Sequence, residues 1–447
     1  MAHLKNTIIC NVVSDFSSSS SAEGQSSQID VLKDQLKDKI EESCLWDQLP
    51  REVIIHIFRY LGKSELLRVA RVCKCWWDLI HTTSSLWRDM HLELSCNSKS
   101  IHRKRACWYA SQFGNHFRKL SVTCVHDNNH MVCRLMGINF RRLLLTLHQP
   151  ELTSLKVTDL KLRGALMCTV KSISEILTRM LSRLEGLQCF KMTSSLFRID
   201  EGVKVIDTVL TVSRGTLQSL VIDGFFEATF LAQRPAEFER VTNGILSLNR
   251  LTKLSIDYQL LTDSFVTALS RSHTGQLKVL KISAFQLSSK DDKTSRSSWL
   301  TLIEACPTLK VAFYIEGWVL SPFVSILDIL DPVLPVYRIW LMLRSRFNYF
   351  DMQGSSAASV LEDIATSFRQ SLVKFEMNVD NKSDPVDAAI LKLVRKCHRL
   401  TTVKVRSLPY PTERDQDGSN TDAGTVCLCD SSKLNALKEI ATSSLQR

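Results

Sequence analysis

No stretch of this 447-residue sequence approaches the eighteen or more uninterrupted apolar residues that a membrane-spanning helix needs. The longest candidate, Val333 to Leu343, is short and is broken by Pro335 and Arg338. Near the N-terminus, Thr7 to Val13 is too short for a signal-peptide core and lacks a small-residue cleavage pattern. The expectation is an intracellular protein, cytoplasmic, nuclear or both, with no membrane partner. Paired metal-binding cysteines are missing too. The 14 cysteines include Cys73-x-Cys75 and Cys427-x-Cys429, but no CxxC pair from which a zinc site is built. Most should be small buried hydrophobes with free thiols, and no cofactor is expected. Catalytic signatures are also absent: no GxSxG, no HExxH, no Walker loop, no kinase set. His126, Asp127 and His130 lie close together, but lacking a metal-ligand spacing they read as a solvated turn. A non-catalytic role is expected.

What the chain does have is positive charge, 57 Lys and Arg against 46 Asp and Glu, a formal net of +11. Part of the excess is clustered: Lys99 with His102 to Arg105, then Arg338, Arg344 and Arg346, then Lys392 to Arg406. Charge runs are more often solvated faces than binding sites. These tilt toward an acidic partner, with nucleic acid the less favoured reading.

Between Leu45 and Leu92 the apolar load is heavy. Leu49-Pro50 opens a helix, since proline in the first turn costs no hydrogen bond. That helix carries two stripes, Val53-Ile57-Leu61 and Ile54-Phe58, where one would bury it against its own domain. Gly62 ends it, and a second helix starts after Ser64 with Leu66, Val69, Val72 and Cys73 on one face. Trp76, Trp77, Leu79, Ile80, Leu86 and Trp87 follow; the pattern does not fix which way Trp77 faces. A segment of about fifty residues buries only about 60% of its unfolded surface. Part of this load should therefore stay outside, either as a partner site or docked on the rest of the chain.

In order and spacing, Leu49-Pro50-x-Glu52-Val53, Ile57-Phe58, Tyr60-Leu61, Val72-Cys73-x-x-Trp76 and Leu86-Trp87 resemble the F-box. The resemblance covers about a tenth of the chain. It implies a small helical module that docks the Skp-type adaptor of a Skp–cullin–F-box ubiquitin ligase, and through it the cullin core. The residues it carries over as adaptor-facing or structural are Leu49, Pro50, Val53, Ile57, Leu61, Val72, Cys73, Trp76 and Trp87.

From Phe117 onward, apolar residues recur at positions one, four and six of a short motif. The copies are Phe117-Leu120-Val122, Leu152-Leu155-Val157, Leu187-Phe190-Met192, Leu217-Leu220-Ile222 and Leu251-Leu254-Ile256. They continue as Leu277-Leu280-Ile282, Leu309-Ala312-Tyr314, Val336-Ile339-Leu341, Leu372-Phe375-Met377 and Leu400-Val403-Val405, at intervals of 26 to 36 residues. Amphipathic helical patterns lie between them, such as Ile173, Ile176, Leu177, Met180, Leu181 and Leu184. A strand and a helix repeated at this interval predict an α/β leucine-rich-repeat solenoid, parallel strands on its concave wall and helices on its convex side. The period exceeds the usual one, and Leu160, Ser195, Phe225, Gln259 and Phe285 stand where the repeat's asparagine is expected. An irregular solenoid is therefore predicted, ahead of a doubly wound α/β domain, because no Gly-rich phosphate loop accompanies any strand.

The expected organisation is a serine-rich disordered leader at 1–28, a short leading helix at 29–44, the F-box at 45–92 and a basic connector at 93–116. The solenoid follows at 117–408, then a polar loop and terminal helix at 409–447. F-box followed by leucine-rich repeats is itself a family architecture. With Trp108-Tyr109, Phe113-Gly114 and Leu120, the layout resembles the subfamily of F-box only protein 39. That resemblance implies a substrate receptor, whose contribution is placement of a target protein. The rival readings are an adaptor-binding scaffold that works without cullin and a nucleic-acid-associated repeat protein. Side chains alternate along a strand, so the substrate surface is expected at Ser255, Asp257, Lys281, Ser283, Trp340, Met342, Lys404 and Arg406. Trp340 beside Arg338 suits a binding hot spot or packs under a neighbouring connection.

Overall fold

The computed structural model describes residues 49–95, 101–126, 133–147, 151–227, 234–285, 294–318, 329–344, 357–379 and 387–407. The leader, the leading helix and the tail beyond 407 lie outside them, as do Asp127 and His130. The chain divides into two units, after Met90.

The first unit is helical. α1 (Arg51–Phe58) follows Pro50 and carries Glu52 in its first turn, where the helix dipole favours an anion. Of its two stripes, Ile54 and Phe58 turn inward and are buried. α2 (Lys63–Val69) begins one residue before the expected Ser64 cap. Gly62 takes the cap position because Glu65 reaches back to accept its N–H at 2.8 Å. α3 (Lys74–Thr82) is capped by Cys73, whose Sγ accepts the Trp76 N–H at 3.4 Å. Leu66, Val69, Leu79, Ile80, Leu86 and Trp87 complete the interior.

The second unit is a sheet of eleven strands in strict chain order. They are β1 (Asp89–Ser95), β2 (Lys119–Val125), β3 (Ser154–Thr158), β4 (Cys189–Thr193), β5 (Ser219–Val221) and β6 (Lys253–Asp257), then β7 (Val279–Phe285), β8 (Lys310–Trp318), β9 (Val336–Arg344), β10 (Lys374–Val379) and β11 (Thr402–Ser407). Neighbours pair in parallel, as Leu155 with Phe190, Leu254 with Leu280 and Ile339 with Phe375. The crossover helices α4 (Ile101–Phe113), α5 (Cys133–Thr146), α6 (Met167–Leu181), α7 (Ile199–Val212), α8 (Pro235–Leu246), α9 (Asp263–Ser272) and α10 (Arg296–Ala305) stack in chain order, and α11 (Ala357–Ser367) stacks on α12 (Asp387–Lys396), all on one face of the sheet. Of these, α6, α7 and α12 each bury one apolar stripe. The core lies between the layers, where Leu155, Val157, Phe190, Met192, Leu254, Ile256, Leu280 and Ile282 are all buried. This is the α/β repeat architecture predicted.

Three details depart from expectation. Residues 93–116, read as a connector, hold the end of β1, helix Ile101–Phe113 and a short 3-10 turn. Met90, Leu92 and Leu94 alternate inward along β1, and Ala106, Ala110 and Phe113 bury the helix, so this stretch is already a strand–helix unit. The seventh motif copy is out of phase. In β8 it is Val311, Phe313 and Ile315 that pair with the inward residues of β7, while Ala312 and Tyr314 lie on the opposite face. One residue separates Leu309 from the first inward position there, Val311, against two in the other copies, and the alternation shifts by one. The missing asparagines are replaced by main chain. Asp159, Lys161, Ser194, Leu196 and Gly224 adopt left-handed φ between 47° and 59°. Their turns stack through Asp159 N–H to Thr193 O at 3.0 Å and Ser194 N–H to Asp223 O at 2.8 Å. Leu160, Ser195 and Phe225 fill the interior behind them.

Candidate functional site

Two surfaces, one on each unit, hold the residues singled out by the sequence. On the first unit, the outward stripe of α1 is Val53 and Ile57, with Leu49 and Pro50 before it and part-buried Leu61 in the bend after it. Val53 is 42% exposed, Val72 44% and Trp77 45%, so this small helical unit leaves several large apolar side chains outside. Cys73 is exposed at the start of α3, and Trp76 is half-buried, edge-on to Phe58 with ring centroids 5.2 Å apart. Eight of the nine expected residues thus reach the surface. Trp87 does not. Its ring is fully buried, and its Nε1–H donates to the Ile80 carbonyl at 2.8 Å. It is an interior strut whose polar edge needs a partner. Lys63 lies over the same ring, and burial depresses its ammonium pKa against the opposing pull of Asp89. Tyr60 and Trp77 are exposed aromatics that the site prediction left out; Trp77 stacks on His81 at 3.8 Å.

On the second unit, the sheet face away from the helices carries a connected polar and aromatic row. Asp223, just after β5, is almost fully buried. It accepts from Ser255 Oγ at 2.5 Å and from Lys281 Nζ at 2.7 Å. The Lys281 ammonium also lies 3.8 Å from the centre of the Tyr314 ring. Tyr314 stacks on Trp340, centroids 6.0 Å apart, and Arg338 lies over Tyr314 while its Nη2 donates to Glu376 at 2.8 Å. Cation, ring and carboxylate alternate from β5 to β10. Burial raises the Tyr314 phenol pKa, and Arg338 opposes the shift. The Asp257 carboxyl accepts the Gly224 N–H at 2.8 Å, yet desolvation pushes its pKa up to about 8.

Of the eight residues expected on this face, Lys281, Trp340, Met342 and Lys404 are partly exposed, and so is Asp257. Ser255 and Ser283 are correctly placed on the outward face but fully buried, because short side chains sit below their long neighbours. Arg406 is placed by backbone register opposite Asn378. Trp340 is partly exposed and stacks on Tyr314. Asp223, Tyr314 and Glu376 were not foreseen; a correct alternation along β8 would have found Tyr314. Among the described residues no three His, Cys, Asp or Glu side chains converge to hold a metal. His126 bonds the Asp159 carbonyl.

Residues 46–93 match a family model described as F-box-like. F-box/LRR-repeat protein 21 of Bos taurus is 22% identical over 286 residues, 60% of this chain and 59% of that protein. F-box/LRR-repeat protein 5 of Salmo salar is 46% identical over 44 residues, 10% of this chain and 6% of its own length. The match thus spans about three-fifths of the bovine relative and a small part of the salmon one. Among solved structures, the leucine-rich repeat-containing protein LegL7 of Legionella pneumophila aligns over 78% of this chain and 97% of its own, at 11% identity and a TM-score of 0.36. The chain carries an F-box-like segment followed by a leucine-rich-repeat fold.

Proposed function

We propose that this protein is a non-catalytic substrate receptor of a Skp–cullin–F-box ubiquitin ligase, working in the cytoplasm, the nucleus or both. The observation that carries the reading is the exposed apolar surface of the first unit, lying within the F-box-like segment. Leu49, Pro50, Val53, Ile57, Leu61, Val72, Cys73 and Trp76 make the contact with the Skp-type adaptor, and Trp87 holds that surface from behind. The adaptor links the chain to the cullin core. The helix-free face of the sheet selects the protein to be ubiquitinated, with Lys281, Trp340, Met342, Lys404 and Arg406 at its centre and edge. Catalysis belongs to other subunits; the receptor raises the effective concentration of target lysines near the conjugating enzyme. We further propose a kinship with the subfamily of F-box only protein 39, on the Trp108-Tyr109 and Phe113-Gly114 residues and the repeat layout. The test is co-purification of adaptor and cullin with the full chain and with a chain lacking residues 45–92. The reading requires both partners on the first and neither on the second. Adaptor without cullin on the full chain would indicate a scaffold and refute the ligase role.

A further inference from the structure

We propose that the helix-free face of β3 to β6 docks an extended, carboxylate-rich segment of a partner protein, its acidic side chains on Lys156, Lys191 and Lys253. This deepens the receptor reading and rests on it. Lys156 and Lys191 stand side by side in register on β3 and β4, about 4.8 Å apart along the sheet. Lys253 lies two strands further on and one outward step earlier, in register with Ser219 and Cys189, while Val221 and Ser255 continue the row of Lys191. Among the described residues none of the three is in an ion pair. Lys281 joins the row on β7 but spends its charge on the buried Asp223. The outward residues of β3 to β7 otherwise carry one acid, Asp257, which desolvation keeps protonated near neutral pH. The face is therefore crowded with like charge. Burial first, and then Lys281, Lys253 and Lys156, depress the Lys191 ammonium, with Asp223 alone opposing. Crowded ammoniums cost folding free energy, and an anion laid across them recovers it.

The row is an anion site built of ammonium groups. Lysine takes a carboxylate or a phosphate alike as a point charge, the Arg338 fork is already turned to Glu376, and the phosphopeptide control below separates the two. A nucleic-acid track calls for a continuous cationic stripe, and here Asp223 and Glu376 interrupt it. The second landmark sets the length of the ligand. From Lys191 on β4 to Tyr314 on β8 is four strand spacings, roughly 19 Å, which about six extended residues span. The preferred segment carries its acidic run about six positions from an aromatic or large aliphatic residue, which meets the Tyr314–Trp340 stack.

The test is fluorescence anisotropy on the full-length chain bound to its adaptor. The probe is a labelled peptide of about a dozen residues, with a Glu-rich run and a Phe about six positions away. Controls are a phosphoserine peptide without Asp or Glu and a single-stranded oligonucleotide of equal charge. The acidic peptide should bind in a salt-sensitive way, and K156E/K191E should weaken it by about tenfold or more at low ionic strength. Lys191→Gln should leave the melting temperature equal or higher, because it removes a crowded charge, so weaker peptide binding in that variant is not unfolding. No binding of the acidic peptide, equal binding by K156E/K191E, or tighter binding of the phosphopeptide or the oligonucleotide would overturn the inference. Retained adaptor binding in those cases leaves the receptor reading standing, whereas failure at the adaptor itself is a failure of that reading.

Discussion

Replacing Trp87 with phenylalanine separates the interior of the first unit from its surface. The indole is fully buried and its Nε1–H reaches the Ile80 carbonyl at 2.8 Å. Phenylalanine keeps most of the apolar area but removes that donor. Leaving a buried polar group unsatisfied costs about 1–3 kcal/mol, and the space of the lost second ring costs about 1 kcal/mol more. The sum is roughly 2–4 kcal/mol, a factor of about 30 to 1000 in the local unfolding equilibrium. A unit of about fifty residues has little stability in reserve. Hydrogen exchange of the full-length chain, read by mass spectrometry, would measure the loss. Protection in peptides covering 51–82 should fall by that factor in W87F, while peptides from the sheet keep theirs. Adaptor affinity, measured in the cold where the unit stays folded, should barely move. Unchanged protection together with an adaptor affinity lowered tenfold would place the indole at the adaptor surface and refute this account of its role.

Three further outcomes follow from the second unit. In Gly202→Ala the new Cβ would stand 2.7 Å from Phe226 Cε1, so overpacking should cost about 1–3 kcal/mol, visible as a lower urea midpoint; an unchanged midpoint contradicts the packing of α7. Asp257 holds a proton in the folded chain up to about pH 8, while its unperturbed carboxyl value is 3.8. Stability from this group is therefore fully present below the lower value and lost as pH rises toward the higher one. Asp257→Asn should flatten that decline in urea titrations run between about pH 4 and pH 8, and an unaltered slope would exclude a raised carboxyl. Trp340→Ala removes the ring stacked on Tyr314 and should cost about 1 kcal/mol of stability. If the helix-free face selects the target, Trp340→Ala should also cost roughly 2 kcal/mol or more of target affinity at unchanged adaptor binding; full retention of both excludes the ring.

The sequence was informative wherever one residue's environment is set by its own repeat. Leu254 and Ile256 alternate with polar neighbours, and the structure buries both. Ile54 and Phe58 could be told to be apolar but not to be the inward pair, since Val53 and Ile57 make an equally good stripe. β1 escaped notice because Met90, Leu92 and Leu94 merge with the end of the helical module, and its helix because small Ala106 and Ala110 form the stripe in a basic stretch. The polar row on the sheet was beyond sequence reasoning for a geometric reason. Asp223 and Lys281 are 58 residues apart, and only the stacking of three strand–helix units brings them to 2.7 Å. The buried serines teach the same lesson: alternation gives the face of Ser255 and Ser283, while exposure depends on the length of side chains contributed by other strands.

The central claim is that the outward apolar surface of the first unit is an adaptor-binding surface. It is tested most directly by titrating purified Skp-type adaptor into the wild-type chain and into the Leu49→Ala, Pro50→Ala double variant, with circular dichroism on both. The account predicts saturable binding to the wild type, loss of binding in the variant and superimposable spectra. Undiminished adaptor binding by the variant would contradict it.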